Sequence, residues 1–315
     1  MNNKFDVIVV GELNVDLILN QIHSFPEIGR EKFADTMTLT LGSSAAIFAS
    51  NLSSLGKRVA FIGKIGNDVF GHFCKEELEK KGVDCSMILR NDQLKTGATV
   101  ILNFGEDRAN ITYQGAMKHM SIHDISDDML CQGRHLHYSS YFFQQGFKGQ
   151  LNCLFKKAKE AGLSTSFDMQ WDPTEQWDFD YKEVLPFVDI FMPNESELLN
   201  LAKQSTLEKA LEIVKNTANI IVVKRGNKGS ILWYNNEIIS CEAFVNNEVV
   251  DAIGAGDSFN AGFIFSYLNN QTLMQCQKFA NLTGAVSTTK PGGTTAFTNY
   301  REIIQTAKEK FGYEE

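Results

Sequence analysis

VDAIGAGDSFNAGF, residues 250–263, places three small residues, Gly254, Ala255 and Gly256, directly ahead of an apolar helical pattern at Phe259, Phe263 and Tyr267. Backbone N–H groups at a helix start lack partners within the helix and carry positive partial charge, so such a turn attracts anions. Small side chains let a phosphate oxygen approach that backbone closely. Asp257 stands at the same helix start. A carboxylate there can take the proton from an attacking hydroxyl while the amides neutralise charge on a transferring phosphoryl group. Taken alone, the stretch reads as readily as a small-residue turn with Asp257 as its N-cap.

Working outward, nearly continuous apolar runs recur at Asp6–Val10, Val59–Ile62, His135–Ser139, Ser164–Phe167, Val188–Met192 and Ile220–Val223. They suit strands buried on both faces of a parallel sheet. Helical patterns lie between them: Ser44–Leu55, Val69–Lys81, Leu151–Ala161, Leu207–Asn216, Phe259–Leu268 and Leu273–Thr288. The alternation predicts an α/β fold in three layers, α/β/α, around a central, mostly parallel sheet. Residues 17–41 and 97–114 break the pattern as extended segments. There GATVILNF, GEDRAN and ITYQG read as a hairpin turning at Gly105, Glu106 and Asp107. These two regions predict a small β lid on a single domain, residues 1–315. His135 and His137 alternate along a strand and are expected as structural residues, one to each face, not as a metal site.

The 43% hydrophobic and 22% charged composition is that of a globular chain able to bury a sizeable core. A net charge of −8 argues against nucleic acid or an anionic membrane surface as partner. The six cysteines contain no C-x-x-C pair, which reads as free thiols rather than zinc ligands or a disulfide framework. The opening MNNKFDVIVVGELNVD has too short an apolar run for a signal peptide, and no run reaches the roughly 18 residues of a membrane span. The expected location is the cytoplasm.

GAGDSFNAGF, preceded by Asp251, resembles the C-terminal signature of the ribokinase-like (PfkB) carbohydrate kinases, D-T-x-G-A-G-D-x-F. Further similarities follow in the family's order: GELNVD at Gly11–Asp16, the glycine-rich signature across Leu41–Gly71, PNESE at Pro193–Glu197 and KRGNKG at Lys224–Gly229. The resemblance runs from about residue 5 to 310, essentially the whole chain. It implies a ribokinase-like fold and ATP- and Mg²⁺-dependent phosphorylation of a hydroxyl on a small sugar. Asp257 is implied as catalytic base, with Gly254, Ala255 and Gly256 as the anion hole.

For the nucleotide side the resemblance implies Asn194 near the phosphates, Glu197 organising Mg²⁺ largely through water, and Lys224, Gly226, Gly229 and Asn281 against ATP. The residues themselves leave alternatives open: Asn194 and Glu197 also make a capping box, and Lys224 also suits a solvated turn. Asp251 matches a monovalent-cation site, leaving K⁺ activation open, although Ala252–Ile253 stands where the family carries threonine. On the substrate side, Asn14 and Asp16 are expected in the loop after the first strand, with Gly42 and Ser43 letting the backbone approach the sugar. Asp168 and Gln170 are expected at the same sheet edge near Trp171, and Arg108 on the lid. Ile47 departs from the family, which places a sugar-contacting asparagine there, so Ser43, Ser44 and Lys64 become candidates. This departure and the aromatic Phe142 and Phe143 keep a nucleoside kinase as the alternative. A non-catalytic sugar- or nucleotide-binding regulator is a second alternative, which the intact base and anion hole disfavour. A dinucleotide-binding enzyme would need G-x-G-x-x-G after the first strand, where this chain reads GELNVD. The family often dimerises through its lid, and the alternation in ATVILNF permits a homodimer of that kind.

Overall fold

The computed structural model describes residues 3–104 and 107–314. Strands β1 (Val7–Val10), β2 (Asn14–Asn20) and β3 (Thr36–Leu41) lead to helix α1 (Ser44–Ser54), where the Ser43 hydroxyl accepts the Ala46 N–H at 3.0 Å. Strands β4 (Val59–Ile62) and β5 (Lys64–Gly66) follow, then α2 (Val69–Lys80), capped by Asp68 on the Gly71 N–H. After β6 (Leu89–Asn91), β7 (Gly97–Phe104) pairs antiparallel with β8 (Asp107–Tyr113). The expected turn at Gly105 and Glu106 lies outside the described residues.

The chain continues through α3 (Asp127–Leu130), β9 (His135–Ser139), α4 (Leu151–Glu160), β10 (Ser164–Asp168), α5 (Tyr181–Val184) and β11 (Ile190–Phe191). Helices α6 (Glu195–Ala202) and α7 (Leu207–Val214) precede β12 (Ile220–Lys224), β13 (Ser230–Tyr234) and β14 (Glu237–Cys241). Helices α8 (Ala255–Leu268), α9 (Leu273–Ser287) and α10 (Tyr300–Phe311) close the fold.

An eight-stranded sheet runs β14-β13-β12-β11-β10-β9-β1-β4, parallel from β4 to β12, with β13 and β14 antiparallel at one edge. Its apolar strands are buried on both faces because helices cover both. Val7 and Val9 pack into a cluster with residues of α1, α2, α8, α9 and α10, whereas Ile8 and Val10 join one with α4, α6 and α7. This is the expected three-layer α/β/α arrangement, reached because alternate side chains of each strand leave the sheet on opposite faces. The β13–β14 hairpin went unread in the sequence; it turns on Asn235 and Asn236, both at positive φ, where asparagine is tolerated.

Two expectations need correcting. Residues two apart on a strand share a face, so His135 and His137 do not point oppositely. Both rings reach the Ser166 hydroxyl at 2.7 Å, and burial holds both imidazoles below their usual range. They are structural, as expected, but through one shared hydroxyl. Helix α8 begins at Ala255 rather than Phe259, with Gly254 as N-cap, so Asp257 sits inside the first turn and does not cap it.

A second sheet, β3-β2-β7-β8, stands apart from the first. Its register aligns Thr40, Asp16, Thr99 and Thr112 in one row and Leu39, Leu17, Val100 and Ile111 in the next. Adjacent rows face opposite ways, so the Asp16 row gives one face a polar stripe beside Ile18 and Ile101, while the Leu17 row leaves the other face apolar. Asp16, Thr99 and Thr112 line a cleft, whereas Leu39 and Ile111 are exposed. Among the described residues no helix is long and apolar enough to cross a membrane, and all six cysteines are free.

Candidate active site

The cleft lies beyond the C-terminal ends of the parallel strands, where Glu12, Ser140, Gln170, Asn194 and Arg225 follow β1, β9, β10, β11 and β12. It encloses about 860 Å³, within the usual range for small-molecule sites. One end is built by the α8 turn and the loops around Gly226 and Asn281, the other by the polar face of the second sheet.

At the α8 end, Gly254 adopts φ +73°, and a Cβ there would lie 2.6 Å from Gly293 Cα and 3.0 Å from Ile47 Cγ2. Only glycine combines that conformation with that packing. The Ala255 N–H already reaches the Ala252 carbonyl at 3.3 Å, so anion binding falls to the other amides of the turn. Asp257 is buried at the cleft wall, and the Gln170 amide donates to its Oδ1 at 3.1 Å. Burial pushes its carboxyl well above the usual range, Asp168 and Glu12 add to the rise, and Lys224 and the Ser44 hydroxyl oppose it. Once ionised, a carboxylate made more basic by burial is a stronger proton acceptor toward an alcohol than an exposed one.

Asp168 does not line the cleft, contrary to its expected substrate contact. It is fully buried behind Asp257, where it accepts from the Lys224 ammonium, from Asn260 Nδ2 at 2.5 Å and from Gln170 Nε2 at 3.0 Å. Burial alone would drain the charge from Lys224, but Asp168 and then Glu197 outweigh it and hold the ammonium above its ordinary value. Gln170 does line the cleft, as expected, and bridges the two aspartates. Asn260 was missed. It lies one helical turn after Asp257 on the same face, a spacing readable in the sequence.

Along the next wall, Asn194 and Glu197 form a complete capping box on α6: Glu197 N donates to Asn194 Oδ1 at 2.8 Å, and Glu197 accepts from Asn194 N at 2.8 Å and Nδ2 at 2.7 Å. Both still line the cleft. Burial, reinforced by Asp168, pushes the Glu197 carboxyl upward. Lys224, Gly226, Gly229 and Asn281 line the same end. Gly229 is demanded by its own chain, since a Cβ at its φ of +77° would meet the Cys241 carbonyl at 2.0 Å. Asn281 Nδ2 donates to the Glu242 carbonyl at 3.1 Å and so ties down the segment after β14. Asp251 lies outside the lining; its carboxylate accepts the Ile253 N–H at 2.9 Å and the Gly292 N–H at 2.8 Å, shaping the loop ahead of Gly254.

At the other end, Asn14 and Asp16 belong to β2, not to a loop, so they enter the cleft as part of the second sheet. Asn14 Nδ2 donates to Asp16 Oδ1 at 3.1 Å and Thr99 Oγ1 at 3.2 Å. Burial lifts the Asp16 carboxyl to about 6. Gly42 does not line the cleft; a Cβ there would meet Asp16 Oδ1 at 2.3 Å, so its smallness serves the aspartate and not a sugar. Ser43 and Ser44 line the cleft at the start of α1, and exposed Arg108 lines it from β8. Lys64 is turned away, bound to Asp124 at 2.7 Å and the His119 carbonyl at 3.0 Å. Phe143 and half-exposed Trp171 add aromatic wall, while Phe142 packs edge-on against Trp177.

Within GELNVD, Glu12 has no role that the sequence reveals. It is 4% exposed, accepts the Ala45 N–H at 3.4 Å, and has no partner for Oε2. Burial lifts its carboxyl to about 7 against the Ser140 hydroxyl and the first amides of α1.

The pfkB family carbohydrate kinase profile matches residues 4–299. A nucleoside kinase of Methanothermobacter thermautotrophicus is 26% identical over all of this chain and 99% of its own length. A 5-dehydro-2-deoxygluconokinase of Lacticaseibacillus casei is 27% identical, covering 96% of this chain and 95% of its own. Among solved structures, an E. coli protein assigned as a ribokinase II, in complex with ATP and Mg²⁺, superposes with a TM-score of 0.83 at 26% identity, covering 97% of this chain and 99% of that one.

Proposed function

The chain belongs to the pfkB family of carbohydrate kinases, and from that premise we propose that it transfers the γ-phosphoryl group of ATP to a hydroxyl of a small neutral sugar, with Asp257 as the base. The reading rests on one observation: a buried, strongly basic carboxyl sits inside the first turn of a helix whose start opens into the cleft. As the acceptor oxygen bonds to the γ-phosphorus, its proton passes to an Asp257 oxygen and the bond to the ADP oxygen breaks. The amides around Gly254–Gly256 stabilise the charge gathering on the phosphoryl oxygens. Gln170, held by Asp168, fixes the carboxylate's direction.

Mg²⁺ would neutralise the phosphates, held mainly by them and by water, with Glu197 and Asn194 in its outer sphere. The donor set suits that arrangement: both Glu197 oxygens are occupied by Asn194, and no group of three acidic, His or Cys ligands occurs among the described residues. The loop that Asp251 shapes through the Ile253 and Gly292 amides is where the family resemblance would put K⁺. Gly226, Gly229 and Asn281 frame the ATP side.

The second sheet acts in this reading as a lid on a single domain, its polar row over the acceptor. Water exclusion on closure would keep ATP from hydrolysis. We assign its exposed apolar face to a second copy of the chain, since Met37, Leu39, Ile111 and Tyr113 present an apolar surface at the rim of the molecule. Free thiols and use of ATP accord with a cytoplasmic setting. A nucleoside acceptor remains the second reading, favoured by Phe143 and Trp171 in the cleft wall and by the nucleoside kinase among the relatives.

An ADP-release assay with Mg-ATP against sugars, sugar acids and nucleosides, run beside Asp257→Asn, tests this. Turnover of a sugar that vanishes in the variant is the expected result. Turnover confined to nucleosides supports the second reading, and turnover that survives Asp257→Asn removes the base.

A further inference from the structure

We infer that Glu12 is a substrate-facing specificity residue that accepts a hydrogen bond from a hydroxyl neighbouring the one phosphorylated, selecting neutral polyols over sugar acids; this rests on the kinase reading above. Three features place it. First, Glu12 lines the cleft with Oε2 buried and unpartnered, a state that costs free energy until a donor arrives. Second, its position is rigid. The Ser43 hydroxyl donates to the Glu12 carbonyl at 2.5 Å, Oε1 takes the Ala45 N–H, and flanking Ser140 is held at φ +63°.

Third, Glu12 stands beside the reacting centre. Glu12, Ser44 and Asp257 line the same cleft, and the Glu12 charge adds to the rise of the Asp257 carboxyl. A molecule presenting one hydroxyl to Asp257 therefore brings a neighbouring hydroxyl within reach of Oε2.

Ile47 gives the arrangement its logic. Where the family resemblance expects a polar asparagine, this side chain packs on Gly254 and Gly293, leaving α1 no polar group at that point. Polar recognition passes instead to the strand ends, to Glu12, Asn14 and Asp16. Glu12 and Asp16 have no ion-pair partner among the described residues, so a substrate carboxylate finds carboxyls and no committed cation in this half of the cleft. Of the three cationic residues lining the cleft, Lys224 is committed to Asp168 and Arg225 to Glu195, and Arg108 lies exposed on β8.

The test is calorimetric titration, in the presence of Mg²⁺ and a non-hydrolysable ATP analogue, with D-ribose, D-fructose and myo-inositol as neutral probes and D-gluconate and 2-keto-3-deoxy-D-gluconate as acidic ones. At least one neutral probe should bind wild-type protein tenfold or more tightly than either acid. Glu12→Gln should narrow that ratio at least tenfold, chiefly by weakening the neutral probe. Tighter binding of an acid, binding of no neutral probe, or an unchanged ratio in folded Glu12→Gln would overturn the inference, leaving Glu12 as an anchor for α1. If the variant does not fold, the wild-type ratio alone decides. An ADP-release assay on the same compounds separates the two claims. Glu12-dependent binding without phosphoryl transfer sinks the kinase reading, and transfer to acids alone sinks this inference.

Discussion

The two ends of the cleft are built by different means. At the α8 end, a glycine turn, a helix start and one carboxyl inside the first turn are contiguous within residues 254–257, beside the loops around Gly226 and Asn281. The other end is made of side chains on β2, β7, β8, the end of β1 and the start of α1, which converge only when two sheets meet. Charge differs too. Lys224 balances Asp168 at the α8 end, whereas Glu12 and Asp16 face the acceptor end with no ion-pair partner among the described residues. The contrast teaches that one end of the cleft is encoded locally while the other is a tertiary property.

The most forceful way to break this comparison is at the base. Asp257→Asn should lower kcat by about 10³-fold with little change in the KM for ATP, measured by coupled assay. A loss below tenfold would mean the local segment does not run the chemistry.

A smaller effect is expected behind it. Lys224→Met strands Asp168 as a buried charge and should cost about 3–5 kcal/mol in chemical denaturation. Adding Asp168→Asn should recover a substantial part of that loss, because the uncompensated charge is removed. Additive losses would show that the pair is not the anchor of the α8 end.

The acceptor end should reveal itself through pH. Glu12, at about 7, and Asp16, at about 6, keep protons in the empty fold that the unfolded chain releases near 4.5 and 3.8. Folded values above unfolded ones make this contribution complete at low pH and lost as pH rises through 6 and 7. Thermal scans of ligand-free protein should therefore show stability from these groups falling between about pH 4 and 7, less steeply in Glu12→Gln. An identical slope in that variant would assign the proton elsewhere.

The gentlest test is on the outer face of the second sheet. Ile111→Lys should shift sedimentation from dimer toward monomer while turnover changes little. A wild-type monomer would remove the proposed second copy and leave the comparison of the two ends intact.

Much of the α8 end was legible because glycine, helix start and carboxyl are contiguous, so local geometry and the family resemblance agree on Gly254–Asp257. The capping box of Asn194 and Glu197 was readable for the same reason. Asp168 was misplaced because a polar residue at a strand end suggests an open edge, and nothing nearby in sequence announces Lys224, 56 positions away, as its partner. Asn14 and Asp16 line the cleft from a strand and not from the expected loop, since one glycine after β1 reads as a loop although the strand resumes in another sheet.

By itself the sequence determined the alternation of buried strands and amphipathic helices, hence the three-layer fold, and the glycine turn with a carboxyl at a helix start in Gly254–Asp257. Both follow from interactions within a few residues. Only the tertiary structure decided that Asp168 is buried against Lys224, that Gly42 makes room for Asp16, and that Glu12 lines the cleft with a buried, unpartnered oxygen. Those roles depend on which distant groups fill the space around a side chain, and burial and hydrogen-bond partners are set by packing, not by local order in the chain.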